Sequence, residues 1–292
     1  MKIHITGGKG FLAYWIVPHL REAHEVEVSD RDSMDVTDFD RVYSTLAASR
    51  PDVVVHLAAL CGAAPSRERP PEFFAVNAQG TVNVLEACRR VGVPRFLLAS
   101  SLTVHGSGDD AREENSPFAP RHPYAVSKVA AEFAAQNYCR MCGLCVTVVR
   151  PTLVVGENYK EPHAVGDFVA TAVRGDDIVL FGDGQHRRDF MHPLDVARAV
   201  RLALEHQAKA KPGTHEVFNI SSGESFRMID LADLVIRVTG RGRRVHAPAS
   251  EQSFSLHTRM DRARKILGYQ PSVCTEDIIH RLLRNSNLNG AA

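Results

Sequence analysis

The sequence lacks the features that mark membrane, secreted and nucleic-acid-binding chains. No apolar run reaches the length of about 20 residues that a membrane-spanning helix needs. Lysine and arginine number 35 against 34 aspartates and glutamates, so the charge favours neither nucleic acid nor an anionic membrane as a partner. The six cysteines are irregularly spaced over 292 residues, unlike a disulfide framework. We therefore expect a small-molecule substrate and no nucleic-acid or membrane partner.

The beginning of the sequence leaves little room for a secretion signal. Residues 1–7 have the pattern of a strand that starts almost at the first methionine, whereas a signal peptide needs a basic segment and then a longer apolar one. We therefore expect a cytoplasmic protein. With 44% hydrophobic residues, a chain of this length can bury a full core and would form one large domain or two.

Three cysteines, Cys139, Cys142 and Cys145, form a C-x-x-C-x-x-C run that could in principle bind a metal. The first two fall near the end of a predicted helix that Gly143 terminates, while the third enters an apolar strand. Ligands divided in this way seldom converge on one ion, and no histidine or fourth cysteine is near them in the sequence. We expect three core thiols and no metal site.

The first thirty residues have the pattern of a dinucleotide-binding βαβ unit. A strand over residues 1–5 leads into Thr6-Gly-Gly-Lys-Gly10, and a helical pattern then continues to about residue 22. Gly7 permits a tight turn, and Gly10 lets the backbone approach a pyrophosphate at the helix N-terminus. A plain βαβ turn is the alternative, but the spacing favours dinucleotide binding.

The residues after the second strand bear on which dinucleotide binds. This strand, residues 25–29, ends in Asp30 at the position where a carboxylate reaches the adenosine ribose hydroxyls. Asp30 favours NAD because a carboxylate repels a 2′-phosphate, while the adjacent Arg31 could accept one and leaves NADP open. Asp35 and Val36 could close over the adenine.

Strand and helix patterns alternate up to residue 150, which predicts an α/β fold with a doubly wound, Rossmann-type parallel sheet. Residues 51–57 and 95–99 are continuous apolar runs, as expected for strands buried in such a sheet. Small Ala58 and Ala59 follow the first run and suit close contact with a cofactor. Ser100 and Ser101 follow the second, at the edge where open α/β sheets bind ligands.

Tyr124 and Lys128 lie four residues apart at the start of a helical pattern over residues 126–138, so they project from one helix face. A free tyrosine has a pKa of about 10. An adjacent ammonium favours the phenolate and lowers that pKa, which makes Tyr124 a candidate general acid or base. Taken alone, the pair also fits two solvated side chains on a surface helix.

These patterns form a series of motifs. In chain order they are Thr6-Gly-Gly-x-Gly-Phe-Leu, His56-Leu-Ala-Ala59, Asn77-x-x-Gly-Thr81, Ser100-Ser101, Tyr124-x-x-x-Lys128, Arg150-Pro151 and Gly182-Asp-Gly with Arg188-Asp-Phe190. Over nearly its whole length the chain thereby resembles the extended short-chain dehydrogenase/reductases, specifically the NAD-dependent sugar epimerase/dehydratase group.

The resemblance implies a role for each candidate residue. Tyr124 would exchange a proton with a substrate hydroxyl while hydride moves between a sugar carbon and the nicotinamide. Lys128 would hold the nicotinamide ribose and, with the cationic ring, keep the pKa of Tyr124 low. Ser101 would hydrogen-bond the reacting oxygen, although a serine at a strand end can also satisfy backbone groups.

Further residues are expected to line the cofactor or the substrate. The expected cofactor-binding residues are Gly7, Gly10, Phe11, Leu12, Asp30, Arg31, Asp35, Val36, Leu57, Ala58, Ala59, Asn77, Ser100, Tyr124, Lys128 and Pro151. The expected substrate-binding residues are Thr103, Leu153 and Arg188.

The resemblance also implies a domain organisation and an assembly. Residues 1–150, with about 186–220, would form the NAD(P)-binding Rossmann domain. Residues 151–185 and about 221–292 would form a smaller, discontinuous C-terminal lobe for a sugar substrate, which the resemblance implies is nucleotide-linked. Helices 81–91 and 126–138 would pair across a twofold axis in a homodimer.

The chain departs from its relatives at the substrate positions. Where they commonly carry an asparagine and a V-Y-G-P turn, it has Leu153, Val155 and Gly156-Glu157. Residues 249–252 offer no arginine of the usual Arg-Pro-Gly-Asp run, although Arg259 could substitute for it. His105 stands where a tyrosine is usual, and we favour a packing or hydrogen-bonding role for it over a catalytic one.

The favoured function is an NAD(P)-dependent nucleotide-sugar 4-epimerase. The alternative is an NAD(P)H-dependent keto-sugar reductase or dehydrogenase of the 4-dehydrorhamnose reductase or GDP-fucose synthase type, and a non-catalytic cofactor-binding regulator ranks third. A 4,6-dehydratase is disfavoured, because Leu102 and Thr103 occupy the positions of the Asp-Glu pair that such enzymes place after the active-site hydroxyl.

Overall fold

The computed structural model of the chain describes residues 1–159, 162–250 and 253–289. The strands in these ranges are β1 (Lys2–Thr6), β2 (Glu25–Ser29), β3 (Val53–His56), β4 (Arg95–Ala99), β5 (Cys145–Pro151), β6 (Leu153–Val154), β7 (Asp177–Phe181), β8 (Arg187–Met191), β9 (His215–Ile220), β10 (Ser225–Arg227) and β11 (Arg243–Ala247).

Helices connect most of these strands. They are α1 (Phe11–Arg21), α2 (Phe39–Ser49), α3 (Ala63–Glu68), α4 (Pro70–Phe73), α5 (Gly80–Val91), α6 (Pro123–Cys142), α7 (Ala164–Arg174), α8 (Pro193–Gln207), α9 (Met228–Thr239) and α10 (Thr275–Asn289), with π-helical segments at Phe74–Gln79 and Ala263–Leu267 and a 3₁₀ turn at Leu102–His105. Within the described ranges, no helix is long and apolar enough to cross a membrane.

The central layer is a six-stranded parallel sheet in the order β2-β1-β3-β4-β5-β9. The strand order changes direction at β1, since β2 lies on one side of β1 and β3 lies on the other. Ligands of open α/β sheets bind at the carboxyl ends of the strands on either side of such a point. The predicted Rossmann-type sheet is confirmed. Strand β9 completes this sheet at one edge, since it pairs with β5 along its length.

Both faces of the sheet are covered, which explains the unbroken apolar strands. Val53 and Val55 of β3 pack into the core beneath α1 and α8. Val54 points to the opposite face and packs with residues of α2, α5 and α6. Successive side chains of one strand thus enter different cores, as the period of two requires.

A smaller region carries two further sheets, β10-β8-β6 and β11-β7, and a third core formed with α7, α9 and α10. Strand β8 pairs there with β10 and β6, although the predicted Rossmann segment began at about residue 186. The return to the large layer therefore starts with α8. Conversely, Ala263 and Leu267, from the predicted lobe, pack in the core beneath α1 and α8. The smaller region is thus more interleaved with the large one than the predicted boundaries imply.

Helix α6 is longer than predicted and places the candidate residues in its first two turns. His122 caps its N-terminus by accepting a hydrogen bond from the backbone N–H of Ala125, and Pro123 occupies the first turn. At the other end Gly143, at φ 71°, takes the left-handed conformation that terminates helices. Tyr124 therefore lies inside the helix, one turn before Lys128.

A chain of hydrogen bonds joins β1, β3 and α5 beneath the glycine turn. The backbone N–H of Ala58 donates to Thr6 Oγ1 (3.1 Å), and the Thr6 hydroxyl donates to His56 Nδ1 (2.8 Å). On the other side of the ring, Thr81 donates to the carbonyl of Asn77 (2.6 Å), so it must accept from His56 Nε2 (3.1 Å). The network therefore requires a neutral His56 with its proton on Nε2.

This network predicts a pH-dependent stability. Burial, with a smaller effect of Lys128, lowers the pKa of His56 from 6.5 to about 3. Below pH 6.5 the unfolded chain therefore takes up a proton that the folded chain excludes, and stability is lost as the pH falls towards 3. We expect His56 to account for a loss of about 2 kcal/mol between pH 7.5 and 5, measured by urea unfolding.

The contribution of His56 is isolated by comparing the parent chain with His56→Gln, whose side chain cannot titrate and keeps a hydrogen-bond donor. We expect its free energy of unfolding to fall less between the two pH values than that of the parent chain. The exposed His280→Gln serves as the matched control and should fall like the parent. Equal losses in all three proteins would contradict the assignment.

Candidate active site

The glycine turn between β1 and α1 is pressed against the end of β3. Gly7 has φ +74°, and a Cβ atom there would lie 2.8 Å from the backbone N and Cα of Ala58. Gly10 precedes α1 and donates its N–H to the Gly7 carbonyl (2.9 Å). Phe11 and Leu12 begin the helix, whose first N–H groups have no partner within the helix and suit a phosphate. The turn therefore fits the predicted pyrophosphate site.

Asp30 lies at the end of β2 with its carboxylate already oriented. It accepts from the backbone N–H groups of Asp32 (2.9 Å) and Ser33 (3.2 Å) and pairs with Lys9 at 3.1 Å. The bond from Lys9 is the main cause that holds the pKa of Asp30 below its usual range. The carboxylate is therefore ionised and fixed beside the glycine turn.

The other predicted adenosine contacts differ in their surroundings. Arg31 is 91% exposed and pairs with Asp35 at 3.7 Å, while Asp35 also accepts from Thr37. Val36 is buried, and its side chain would be 2.7 Å from a Cβ atom at Gly80. The Val36 side chain thus belongs to the core, and closure over an adenine would use its backbone and Asp35.

Asn77 is a supporting residue in this structure. It is 1% exposed, accepts from the N–H of Leu60 (2.8 Å) and donates to the Leu60 carbonyl (2.9 Å). It also donates to Ser127 (3.0 Å), which donates to the carbonyl of Tyr124 (2.8 Å). Its amide thus joins the turn after Leu57-Ala58-Ala59 to the first turn of α6, and its contact with the cofactor stays a prediction.

The end of β4 meets the inner face of α6. Lys128 Nζ donates to the Ala99 carbonyl (2.8 Å), and Ser100 donates to Glu132. Ser101 interacts with the phenol of Tyr124, and this hydrogen bond lowers the pKa of the phenol. The structure therefore brings the three predicted catalytic residues, Ser101, Tyr124 and Lys128, to one strand end.

The prediction that the pKa of Tyr124 is lowered is wrong for the protein by itself. Burial raises the pKa of Tyr124 well above its ordinary value, and the neighbouring Cys61 raises it further. Burial also lowers the pKa of Lys128, whose ammonium bonds to the Ala99 carbonyl. The sequence showed the helical spacing of the pair but not how strongly the fold desolvates both groups.

Several neighbours of Tyr124 were not predicted. The ring of His122 is parallel to the phenol ring at 5.9 Å, and Phe73 meets it edge-on at 6.3 Å. Cys61 lies close enough to affect the pKa of both Tyr124 and Lys128. Its position, two residues after the alanine pair, was the only sequence signal for it.

His105 and Arg150 form a buried polar group behind the strand ends. Arg150 binds the Glu132 carboxylate through Nε (2.9 Å) and one terminal nitrogen (2.6 Å) and donates to His105 Nε2 (2.9 Å). His105 Nδ1 donates to the carbonyl of Pro117 (3.2 Å). Because both ring nitrogens have protein partners and the ring is buried, the structure supports a hydrogen-bonding role for His105 over a catalytic one.

The predicted substrate residues lie on neighbouring segments. Thr103 donates to Ser101 Oγ (2.9 Å), and Leu153 begins β6, two residues after Pro151, a predicted cofactor residue that ends β5. Arg188, on β8, places its guanidinium 4.4 Å from the centre of the Phe254 ring, and burial lowers its pKa to about 10.

Arg259 is bound to carboxylates. It pairs with Glu113 at 3.2 Å and Asp261 at 3.8 Å. Its charge is therefore already compensated within the protein, which does not favour the predicted replacement of the missing arginine. Of the segment 249–252, residues 251 and 252 lie outside the described residues.

The cysteine run follows the prediction at two of its three positions. Cys139 and Cys145 are buried, but Cys142 is exposed, and its thiol donates to the carbonyl of Tyr138 (2.9 Å). The prediction of a core thiol is wrong for Cys142, because the last turn of α6 places it on the outer face of the helix.

Comparisons with known proteins show the family of the chain. Residues 3–221 match the model of the NAD dependent epimerase/dehydratase family. A dTDP-glucose 4,6-dehydratase of Streptomyces niveus is 32% identical over 249 residues, covering 83% of this chain and 71% of that one. The structure of a UDP-glucose 4-epimerase from Thermotoga maritima with UDP-glucose is 27% identical, with a TM-score of 0.88 and 99% of each chain covered.

A second solved structure, the UDP-glucose 4-epimerase of Thermus thermophilus in complex with NAD, is 27% identical with a TM-score of 0.84, and the whole of both chains is covered. These similarities extend over the sheet, the glycine turn and the strand end that carries Ser101. The chain therefore belongs to the NAD-dependent epimerase/dehydratase family.

Proposed function

We propose that the protein is an NAD-dependent nucleotide-sugar 4-epimerase. The observation that carries the proposal is the convergence of Ser101, Tyr124 and Lys128 at the end of β4. The glycine turn and the ionised Asp30 supply a site for NAD. Relatives that act on UDP-sugars as 4-epimerases support this reaction and a nucleotide-linked sugar as substrate.

The glycine turn and Asp30 would hold NAD, which when bound would supply reversible hydride transfer with a sugar carbon and, in its oxidised form, a cationic ring. Tyr124 takes the proton of the sugar hydroxyl at its phenolic oxygen and gives it back. Ser101 donates a hydrogen bond to the same sugar oxygen. Burial raises the pKa of Tyr124. A cation held beside the phenol would lower this pKa and favour the phenolate, which is the form that can act as a base.

The residues after Ser101 support epimerase over dehydratase chemistry. Leu102 is buried and apolar, and Thr103 uses its hydroxyl to donate to Ser101. Elimination of water needs an acid and a base at these positions, and neither side chain provides a carboxylate. The partly buried cation of Arg188 supports recognition of a diphosphate.

An isotope experiment tests the reaction. UDP-glucose deuterated at C4 is incubated with the protein and catalytic NAD, and the product is examined by NMR. An epimerase returns the same hydride, so we expect UDP-galactose that retains deuterium and no accumulation of NADH. Steady oxidation or reduction of added cofactor with a keto-sugar would instead show the reductase. Cofactor binding with no exchange across a panel of nucleotide sugars would show the regulator.

Tyr124→Phe tests the role of the phenol. Loss of a positioned acid/base group should lower kcat by about 10² to 10⁴-fold. NAD affinity, measured by calorimetry, should change by less than about threefold, because the ring and its packing on His122 remain. The variant Tyr138→Phe, on the same helix, should keep full activity. A Tyr124→Phe enzyme with normal kcat would exclude the proposed mechanism.

Asp30→Asn tests the choice of cofactor. The change removes the anion that would repel a 2′-phosphate and leaves Lys9 and Arg31 nearby. We expect NAD to bind about tenfold more weakly and the preference for NAD over NADP to shrink by at least that factor. Asp32→Asn, which also removes a partner of Lys9, is the matched control. Unchanged affinities for both dinucleotides in Asp30→Asn would refute the assignment.

We also propose a homodimer through α5 and α6. The outer face of α6 exposes Phe133 (55%) and Met141 (59%), large apolar side chains that an isologous helix pair would bury. Light scattering should give about twice the chain mass of 32.1 kDa. Phe133→Glu should produce monomer, while Tyr14→Glu, an equally exposed position on α1, should not. A monomeric parent chain at micromolar concentration would overturn the proposal.

A further inference from the structure

Three consecutive residues at the end of β4 contact three residues on successive turns of α6. The Ala99 carbonyl accepts from Lys128, Ser100 donates to Glu132, and Ser101 interacts with Tyr124. Residues 124, 128 and 132 are spaced by four, so they lie on one helix face. Two of these three contacts involve predicted catalytic residues directly. The third, between Ser100 and Glu132, has no assigned role.

Glu132 is buried, and both of its oxygens have partners. Oε1 accepts from Ser100 and from Arg150 Nε (2.9 Å), and Oε2 accepts from an Arg150 terminal nitrogen (2.6 Å). Arg150 belongs to β5, and the N–H of Ser100 donates to the Val149 carbonyl of the same strand (2.8 Å). One carboxylate thus fastens α6 to the ends of two adjacent strands.

The same carboxylate affects the charge of Lys128. Cys61, in the segment after β3, and Glu132 of α6 act on Lys128. Lys128 in turn acts on His56 of β3. Among them Glu132 is the carboxylate. Burial lowers the pKa of Lys128, and Cys61 and, after it, Glu132 act in the opposite direction. Loss of Glu132 would leave the cations of Lys128 and Arg150 buried without this anion.

We propose that Glu132 is a positioning residue of the active site, which keeps the Lys128 ammonium charged and holds Ser100 and Ser101 at the distance from α6 that the reaction requires. The proposal rests on the function proposed above only in its claim that the reaction uses Lys128. The state of Lys128 itself can be measured in the protein without any substrate.

The direct test is NMR of protein labelled with ¹³C at lysine Cε. The sequence contains seven lysines, and the Lys128 signal is assigned by its loss in Lys128→Met. We expect the titration midpoint of Lys128 to fall by about one pH unit in Glu132→Gln, a tenfold change in its protonation constant. Glu132→Asp keeps the charge, so its Lys128 midpoint should show at most half of the fall seen in Glu132→Gln. Glu86→Gln, which removes a carboxylate paired with two arginines on α5, should leave the midpoint unchanged.

A second readout is NAD affinity against pH by calorimetry. Affinity should decline at high pH as Lys128 loses its proton, and this decline should begin about one pH unit lower in Glu132→Gln than in the parent. An unchanged Lys128 midpoint in folded Glu132→Gln would overturn the proposal, whatever reaction the protein catalyses. Failure of the isotope experiment with a shifted midpoint would instead overturn only the proposed function.

If Glu132→Gln does not fold, the variant Glu132→Gln/Arg150→Met removes both buried charges. Loss of the Arg150 cation alone would raise the pKa of Lys128. The reference is therefore Arg150→Met, and a Lys128 midpoint that is lower in the double variant than in Arg150→Met measures the lost carboxylate and supports the proposal. A midpoint equal to or above that of Arg150→Met would overturn it and leave Glu132 as a partner of Arg150 only.

Discussion

The buried ion pair between Glu132 and Arg150 is the interaction on which the geometry of the site depends. Helix α6 carries ionisable side chains into a region that excludes water, and the free-energy cost of burying them is high unless each has a partner. Arg150 and Ser100 supply those partners from the ends of β5 and β4. A buried pair of this kind adds little to stability compared with apolar packing, but it permits only one relative position of helix and strands. That position sets the place of Tyr124.

A second polar network carries the same constraint to the glycine turn. The His56 ring links Thr6, beside that turn, to Thr81 at the start of α5. Asn77 then joins the turn after β3 to Ser127 of α6. Both networks consist of neutral or paired groups with fully directed hydrogen bonds, so a shift of one element breaks bonds in the others. The glycine turn and Tyr124 are thereby held in one rigid frame.

The sequence predicted the features that depend on local pattern. The apolar runs of β3 and β4, the turn glycines and the four-residue spacing of Tyr124 and Lys128 are short-range signals, and each was found where expected. What it could not show depends on contacts between distant segments. Cys61 acts on Tyr124 although the two are far apart in the sequence, and β8 pairs with the small sheet although its pattern also suited the large one. The raised pKa of Tyr124 has the same origin, since the burial that causes it is contributed by several segments.

One of the departures from the family pattern, Glu157, lies in the loop after β6. Glu157, in place of a proline, accepts from His192 (2.7 Å) and pairs with Arg281 of α10 at 3.3 Å. His192 caps α8 by accepting from Leu194, so its Nε2 carries the proton given to Glu157. Glu157 therefore joins the loop after β6 to the first turn of α8 and to α10 through a hydrogen bond and an ion pair. A shift of this loop would leave His192 and Arg281 without that carboxylate, so the loop, α8 and α10 hold one another in place.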